Sequence, residues 1–189
     1  MNENRHDTIK WLQYLLYVGI AALVNSLLGI FGLDGLSRWI GYAISGATVY
    51  LLFMLAGSNS RYKTAAIFYA VALGTNLISS VALSLVGSIC GIVAQYQQYH
   101  AHGELIEERD PKLADSWNTL FGMEIAVTFI GILLTGLFVG ILAAATNLEE
   151  AVIVPIVTIL VAVLGVGLSL LYLSYLKRTI QVLETEVEV

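Results

Sequence analysis

The sequence predicts an all-α membrane protein: a bundle of about five transmembrane helices, with a helical hairpin stalk between the third and the fourth. Three observations carry that reading. The 189 residues are 58% hydrophobic and only 12% charged, where a soluble domain of this size carries about 25% charged residues. The mean hydropathy is +0.80. The charge that is present gathers between long uncharged runs, most of which exceed the ~20 residues a helix needs to cross a bilayer.

The first run, Trp11 to Gly32, has no acid, lysine or arginine. It follows a short tail, residues 1–10, that carries Arg5 and Lys10. The run is too long for the apolar part of a signal peptide, and a second span follows at once, so it reads as a retained helix. The second span covers 39–60. The third region, Thr64 to Gly103, is uncharged throughout, which is too long for one span and barely enough for two. A turn at Gly74-Thr75-Asn76 would leave about a dozen residues before it, or ~18 Å of helix. The expectation is therefore one long helix over 64–95, bent or tilted near Gly74 and extended to 109; a re-entrant pair is the alternative. The fourth and fifth spans are 119–148 and 151–176, and an acidic tail covers 177–189.

With five spans, Arg5, Lys10, Arg61 and Lys63 lie on one side, and Arg38, Arg109, Lys112, Lys177 and Arg178 on the other. Four against five is no bias under the positive-inside rule. A re-entrant third region would put eight of the nine on one side.

Between the third and fourth spans, Asp110-Pro111 marks a helix start. Asp accepts from free backbone N–H groups, and Pro at the first helical position loses no hydrogen bond. Two helical arms folded back about Asp110 would bring Leu113 near Ile106, Trp117 near His102 and Leu120 near Tyr99, as a stalk above the bilayer.

Possible chemistry is sparse. His100, Glu104 and Glu108 are spaced i, i+4, i+8 and would share a helix face, which makes them weak candidates for a divalent metal. The same spacing describes an ordinary solvated face, and no metal or other cofactor is expected. DGLSR at Asp34–Arg38 resembles the start of the DG-x-x-A-R motif of CDP-alcohol phosphotransferases, but the arginine comes one residue early and the downstream aspartates are missing. Glu107-Glu108-Arg109 lacks the further arginine and histidines of membrane CAAX proteases. Cys90, the single cysteine, excludes an intrachain disulfide. The net charge of −5 and the lack of a basic patch exclude nucleic acid as a partner. No catalytic residue is assigned, and the chain is not expected to be an enzyme.

Stripes of small or hydroxyl residues recur at helical spacing: Gly41, Ser45 and Thr48 in the second span, and Asn76, Ser80, Ser84 and Ser88 in the third, with Gly87-x-x-x-Gly91 beside them. In lipid such stripes let helices approach closely. The polar residues expected inside the membrane are Asn25, Asn76 and Glu124. Glu124 shares a helix side with Thr128, Gly131 and Thr135, and its expected partners are Tyr96, Tyr172 and Lys177.

The cadence Y-Q-x-Y-H-A-H from Tyr96, then D-P-K-L, with a tryptophan four residues after the leucine, resembles a group of small bacterial membrane proteins that have no assigned activity. The resemblance implies only a multi-pass protein of the bacterial cell membrane. Three function classes follow. The first is a scaffold, accessory or interaction subunit meeting other membrane proteins or its own copies in the lipid bilayer. The others are a small oligomeric transporter or channel using Glu124, and a membrane enzyme with a metal at the His100 face.

Overall fold

The structure, a computed structural model, describes residues 2–30, 33–78, 80–133 and 150–185. They form helices α1 (Asn2–Ile30), α2 (Asp34–Leu55), α3 (Ser60–Asn76), α4 (Val81–Glu104), α5 (Pro111–Leu133) and α6 (Glu150–Glu184), with no strand among them. Among the described residues, three helices, not five, have stretches long and apolar enough to cross a membrane: Arg5–Leu28, Asp34–Leu55 and Ile159–Glu184. They carry the expected first, second and fifth spans. The expected fourth span is described only as far as Leu133, and the rest of it lies outside the described residues.

The expected third span is corrected. The chain turns after Asn76, and α3 and α4 pack side by side as a helical hairpin. The expectation failed because it counted α3 from the last charged residue, Lys63. The helix starts earlier, at Ser60, with Asn59 as its cap: the Asn59 side chain accepts from the Arg61 N–H at 2.9 Å. Its 17 residues give about 26 Å of length. At the turn, Leu77 and Ile78 donate to the carbonyls of Gly74 and Thr75. Beyond it, Gly87 faces Thr75 so closely that a Cβ there would collide with the threonine hydroxyl.

The chain forms two compact units: Met1–Asn118 with Leu173–Val189, and Thr119–Tyr172. Most of the buried apolar residues lie in the larger unit, toward one end of it; Ala72 and Gly87 are buried nearer the α3–α4 turn, and Leu120 is buried in the smaller unit. At the core end of the larger unit, Ile9, Leu12 and Leu15 of α1 are buried with Leu51, Leu52 and Leu55 of α2 and Tyr62, Ala65 and Ala66 of α3. Tyr99 and His102 of α4, Leu113 and Trp117 of α5, and Leu176, Ile180 and Leu183 of α6 complete it. Away from this end the apolar residues are uncovered, as at Tyr17 (62% exposed), Val81 (83%) and Ile89 (63%).

Both expected tails belong to helices. Residues 2–10 are the first turns of α1, and Thr8 and Ile9 are buried. The expected acidic tail is helical to Glu184, with Thr179, Ile180 and Leu183 buried. Leu176, Thr179, Ile180 and Leu183 follow the i, i+3, i+4, i+7 spacing of a helix face that packs on a core. Gln13 Nε2 donates to Glu184 Oε1 at 2.9 Å and ties the start of α1 to the end of α6.

The expected hairpin between α4 and α5 is present, with its cap. Asp110 Oδ1 accepts from the Leu113 N–H at 2.9 Å, and α5 starts at Pro111. The first arm is shorter than expected: α4 ends at Glu104, and turns fill 105–109. The hairpin is not a free-standing stalk either. Its inner face is buried by α3 and α6, through Tyr62 against His102 and Thr179 against Trp117.

In the smaller unit, α5 and α6 meet at Gly131, whose Cβ position lies 3.5 Å from a Val161 methyl. Phe129, Ile159 and Val163 of that unit are about 60% exposed.

Candidate functional site

Three polar arrangements lie in the larger unit. The first is at the centre of its core. His102 is fully buried, with its Nδ1 2.7 Å from the Tyr62 hydroxyl and its Nε2 3.4 Å from Gln98 Nε2. An amide nitrogen only donates, so in this orientation Nε2 of a neutral imidazole accepts, and Nδ1–H donates to the Tyr62 oxygen. The Trp117 ring lies over His102 at 4.6 Å, and its Nε1 donates to Thr179 Oγ1 at 3.1 Å. Burial pushes the His102 pKa down to about 3. A closed, neutral imidazole of that pKa is a poor proton carrier near neutral pH; its hydrogen bonds and stacking instead join α3, α4 and α5.

The second arrangement is the His100 face. Glu104 takes hydrogen bonds from Asn59 Nδ2 at 2.8 Å and Arg61 Nε at 2.7 Å. Arg61 Nη1 donates to Gln97 Oε1 at 3.0 Å. The hydrogen bond from Asn59, then those from Arg61, hold the Glu104 carboxyl below its ordinary range despite partial burial. His100 is lowered by burial first and by the Arg61 charge second, and its ring lies 4.2 Å from Tyr96. Glu108, the third member of the sequence candidate, falls beyond the end of α4 and is exposed. Among the described residues, no three His, Cys, Asp or Glu side chains gather where a metal could sit. The i, i+4, i+8 reading assumed a continuous helix, and α4 stops at its middle member.

The third is a groove between α2, α3 and α4 that encloses about 620 Å³. The small-residue stripes of the second and third expected spans face each other across it: Gly41, Ser45 and Thr48 on one wall, Asn76, Gly87 and Ser88 on the other. Arg38 stands in its lining beside Tyr42, whose hydroxyl accepts from Arg38 Nε at 3.0 Å. Ser45, Thr48 and Ser88 donate to carbonyls of their own helices, at Gly41, Ile44 and Ser84.

Of the remaining sequence candidates, Asn25 bridges α1 and α2 by donating from Nδ2 to the Ser37 carbonyl at 3.0 Å, and Ser37 Oγ returns a bond to the Asn25 carbonyl at 3.2 Å. Glu124 and Tyr172 both belong to the smaller unit and are half-buried, and the Glu124 carbonyl accepts from Thr128 Oγ1 at 2.8 Å. Gly131, on the same side of α5, is buried, while Thr128 is exposed and Thr135 lies outside the described residues. Tyr96 and Lys177 belong to the larger unit, and both are exposed.

Sequence reasoning missed Tyr62, Thr179 and the Arg61–Glu104 pair. Thr179 had a signal, the helical spacing from Leu176 to Leu183. The pair had none, because its members lie 43 positions apart. No family model matches this chain, and no curated protein or solved structure matches it either.

Proposed function

We propose that this chain is a multi-pass protein of the bacterial cell membrane, and that it works without catalysis, as an accessory or scaffold subunit for other membrane proteins or for its own copies. One observation carries the reading. The apolar windows of α1, α2 and α6 are only 11%, 17% and 6% buried, while the tightly packed core gathers where the helices carry their charged residues. Surfaces this apolar and uncovered need lipid or a protein neighbour. His102 is locked in the core and Glu104 is held by Asn59 and Arg61, which leaves the enzyme reading little support.

The test has two steps. Membranes from expressing cells are washed with alkaline carbonate, and the protein is then purified in mild detergent and the intact complex weighed. The expected result is retention in the washed membrane, followed by a mass well above the 20.5 kDa of one chain, from a second copy or a copurifying protein. Release by carbonate would overturn the membrane assignment. A lone protomer with no companion would overturn the accessory role.

A further inference from the structure

The groove between α2, α3 and α4 has a ligand chemistry of its own. We propose that it holds one anionic phospholipid from the leaflet opposite the core, with the lipid phosphate at Arg38. The inference rests on the membrane reading above, but on different residues.

Charge is the first reason. Arg38 is the one charged residue in the groove lining; the nearest acid along α2, Asp34, lies one turn before it and outside that lining. Its Nε is held by Tyr42 Oη at 3.0 Å, and its guanidinium lies 5.8 Å from the Tyr42 ring. Among the described residues its two terminal nitrogens have no partner. A guanidinium oriented in this way presents a fork that suits a phosphate.

Depth is the second reason. Arg38 is in the second turn of α2, next to Trp39, which is 74% exposed. Exposed Trp and Tyr at the end of an apolar helix sit at the level of lipid headgroups. Eight of the nine basic residues belong to the core end of the larger unit or lead into it, and Arg38 alone stands at the far end of α2.

The wall below Arg38 is the third. The hydroxyls of Ser45, Thr48 and Ser88 have donated their protons to their own helices. They offer a water column little, and the rest of the wall is mostly aliphatic or glycine. Such a wall suits a glycerol backbone and the upper part of an acyl chain. A volume of about 620 Å³ lies within the roughly 300–1,000 Å³ of small-molecule pockets. It takes the headgroup region and leaves the chain ends in the bilayer.

The test uses the full chain in nanodiscs of phosphatidylcholine doped with phosphatidylglycerol, released into native mass spectrometry. One phosphatidylglycerol per chain should be retained in preference to phosphatidylcholine. Arg38→Gln, an exposed substitution, should lower that retention about tenfold, since a charge-assisted phosphate contact is lost. Gly91→Leu should abolish it, because a Cβ at Gly91 meets nothing within 4 Å and the new side chain would fill the groove. Millimolar inorganic phosphate should not displace the lipid. Equal retention of both lipids, or retention unchanged in both variants, would overturn the proposal. So would displacement by phosphate, which means a free-anion site, and so would loss of a dimer on Gly91→Leu, which means that a second copy fills the groove. Failure to enter nanodiscs at all would sink the membrane reading and this inference together. Entry without bound lipid would sink this one alone.

Discussion

Both ring nitrogens of His102 are held by side chains, and the residue has no exposed surface. That closure gives it a pH signature. Its folded pKa lies at about 3, below the ordinary value of 6.5, because burial disfavours the cation. In the unfolded chain the imidazole is free to take a proton below pH 6.5, and in the folded chain it does so only near pH 3. Its contribution to stability is therefore fully present above pH 6.5 and is lost as the pH falls toward 3, at up to about 1.4 kcal/mol per pH unit. Thermal unfolding in detergent at pH 7 and pH 5 should show this loss in the wild type. In His102→Gln, which cannot titrate, the difference should shrink. Equal slopes in the two proteins would show that His102 is not the group responsible. Glu104 does not confuse the comparison, because its carboxyl is held below the ordinary carboxylate range and titrates at lower pH.

At the scale of the elements, the α4–α5 turn is governed by local chemistry. Asp110 Oδ1 takes the Leu113 N–H at 2.9 Å, and Pro111 opens the helix. Asp110→Ala should cost about 1 kcal/mol, readable as a lowered melting temperature, while Asp110→Ser should recover most of it. If alanine and serine melt alike, the cap contributes nothing. This turn was legible in the sequence because capping depends on residues at most three apart. The α3–α4 turn was less so. Gly74-Thr75-Asn76 marked the right place, but the choice between a bend and a reversal depended on where α3 begins. That start is set by Asn59, whose side chain caps the Arg61 N–H, a local signal that counting from the last charged residue passes over. The helix class was legible everywhere it can be compared, since hydrophobic runs of such length admit little else. The small-residue stripes at Gly41, Ser45, Thr48 and Ser88 were legible too. What they face was not, because two stripes at helical spacing look the same whether they close on each other or line a groove.

For the whole molecule, the reversal at Asn76 changes the charge balance. The larger unit gathers α1, α2, α3 and α4 at the core end through Leu12, Leu52, Tyr62 and His102, and adds the α4–α5 turn and the end of α6. Arg5, Lys10, Arg61, Lys63, Arg109, Lys112, Lys177 and Arg178 all belong to these segments, and Arg38 alone starts at the other end of α2. For a chain that spans a membrane as proposed, the positive-inside rule predicts that the core end faces the cytoplasm. Single cysteines in a Cys90→Ala background should show this. A membrane-impermeant thiol reagent applied outside intact cells should label position 36, where Leu36 is 55% exposed, and should leave positions 108 and 177 untouched until the cells are opened. Labelling of 108 or 177 from outside would reverse the orientation. Opposite labelling of 108 and 177 would break the single-ended core.

The bond between Gln13 and Glu184 joins residues 171 positions apart, and both ends of the chain contribute buried residues, Leu12 and Leu183 among them. A core closed by such contacts has an order of assembly. As the chain is synthesised, α1 and α2 emerge long before α6 exists. Until Leu176, Thr179, Ile180 and Leu183 are made, the core of the larger unit is incomplete, and Trp117 lacks its hydroxyl partner on α6. Closure of this core therefore waits for α6, and the half-made protein is the form most in need of a chaperone. The final turns of α6 act as a latch on the core of the larger unit.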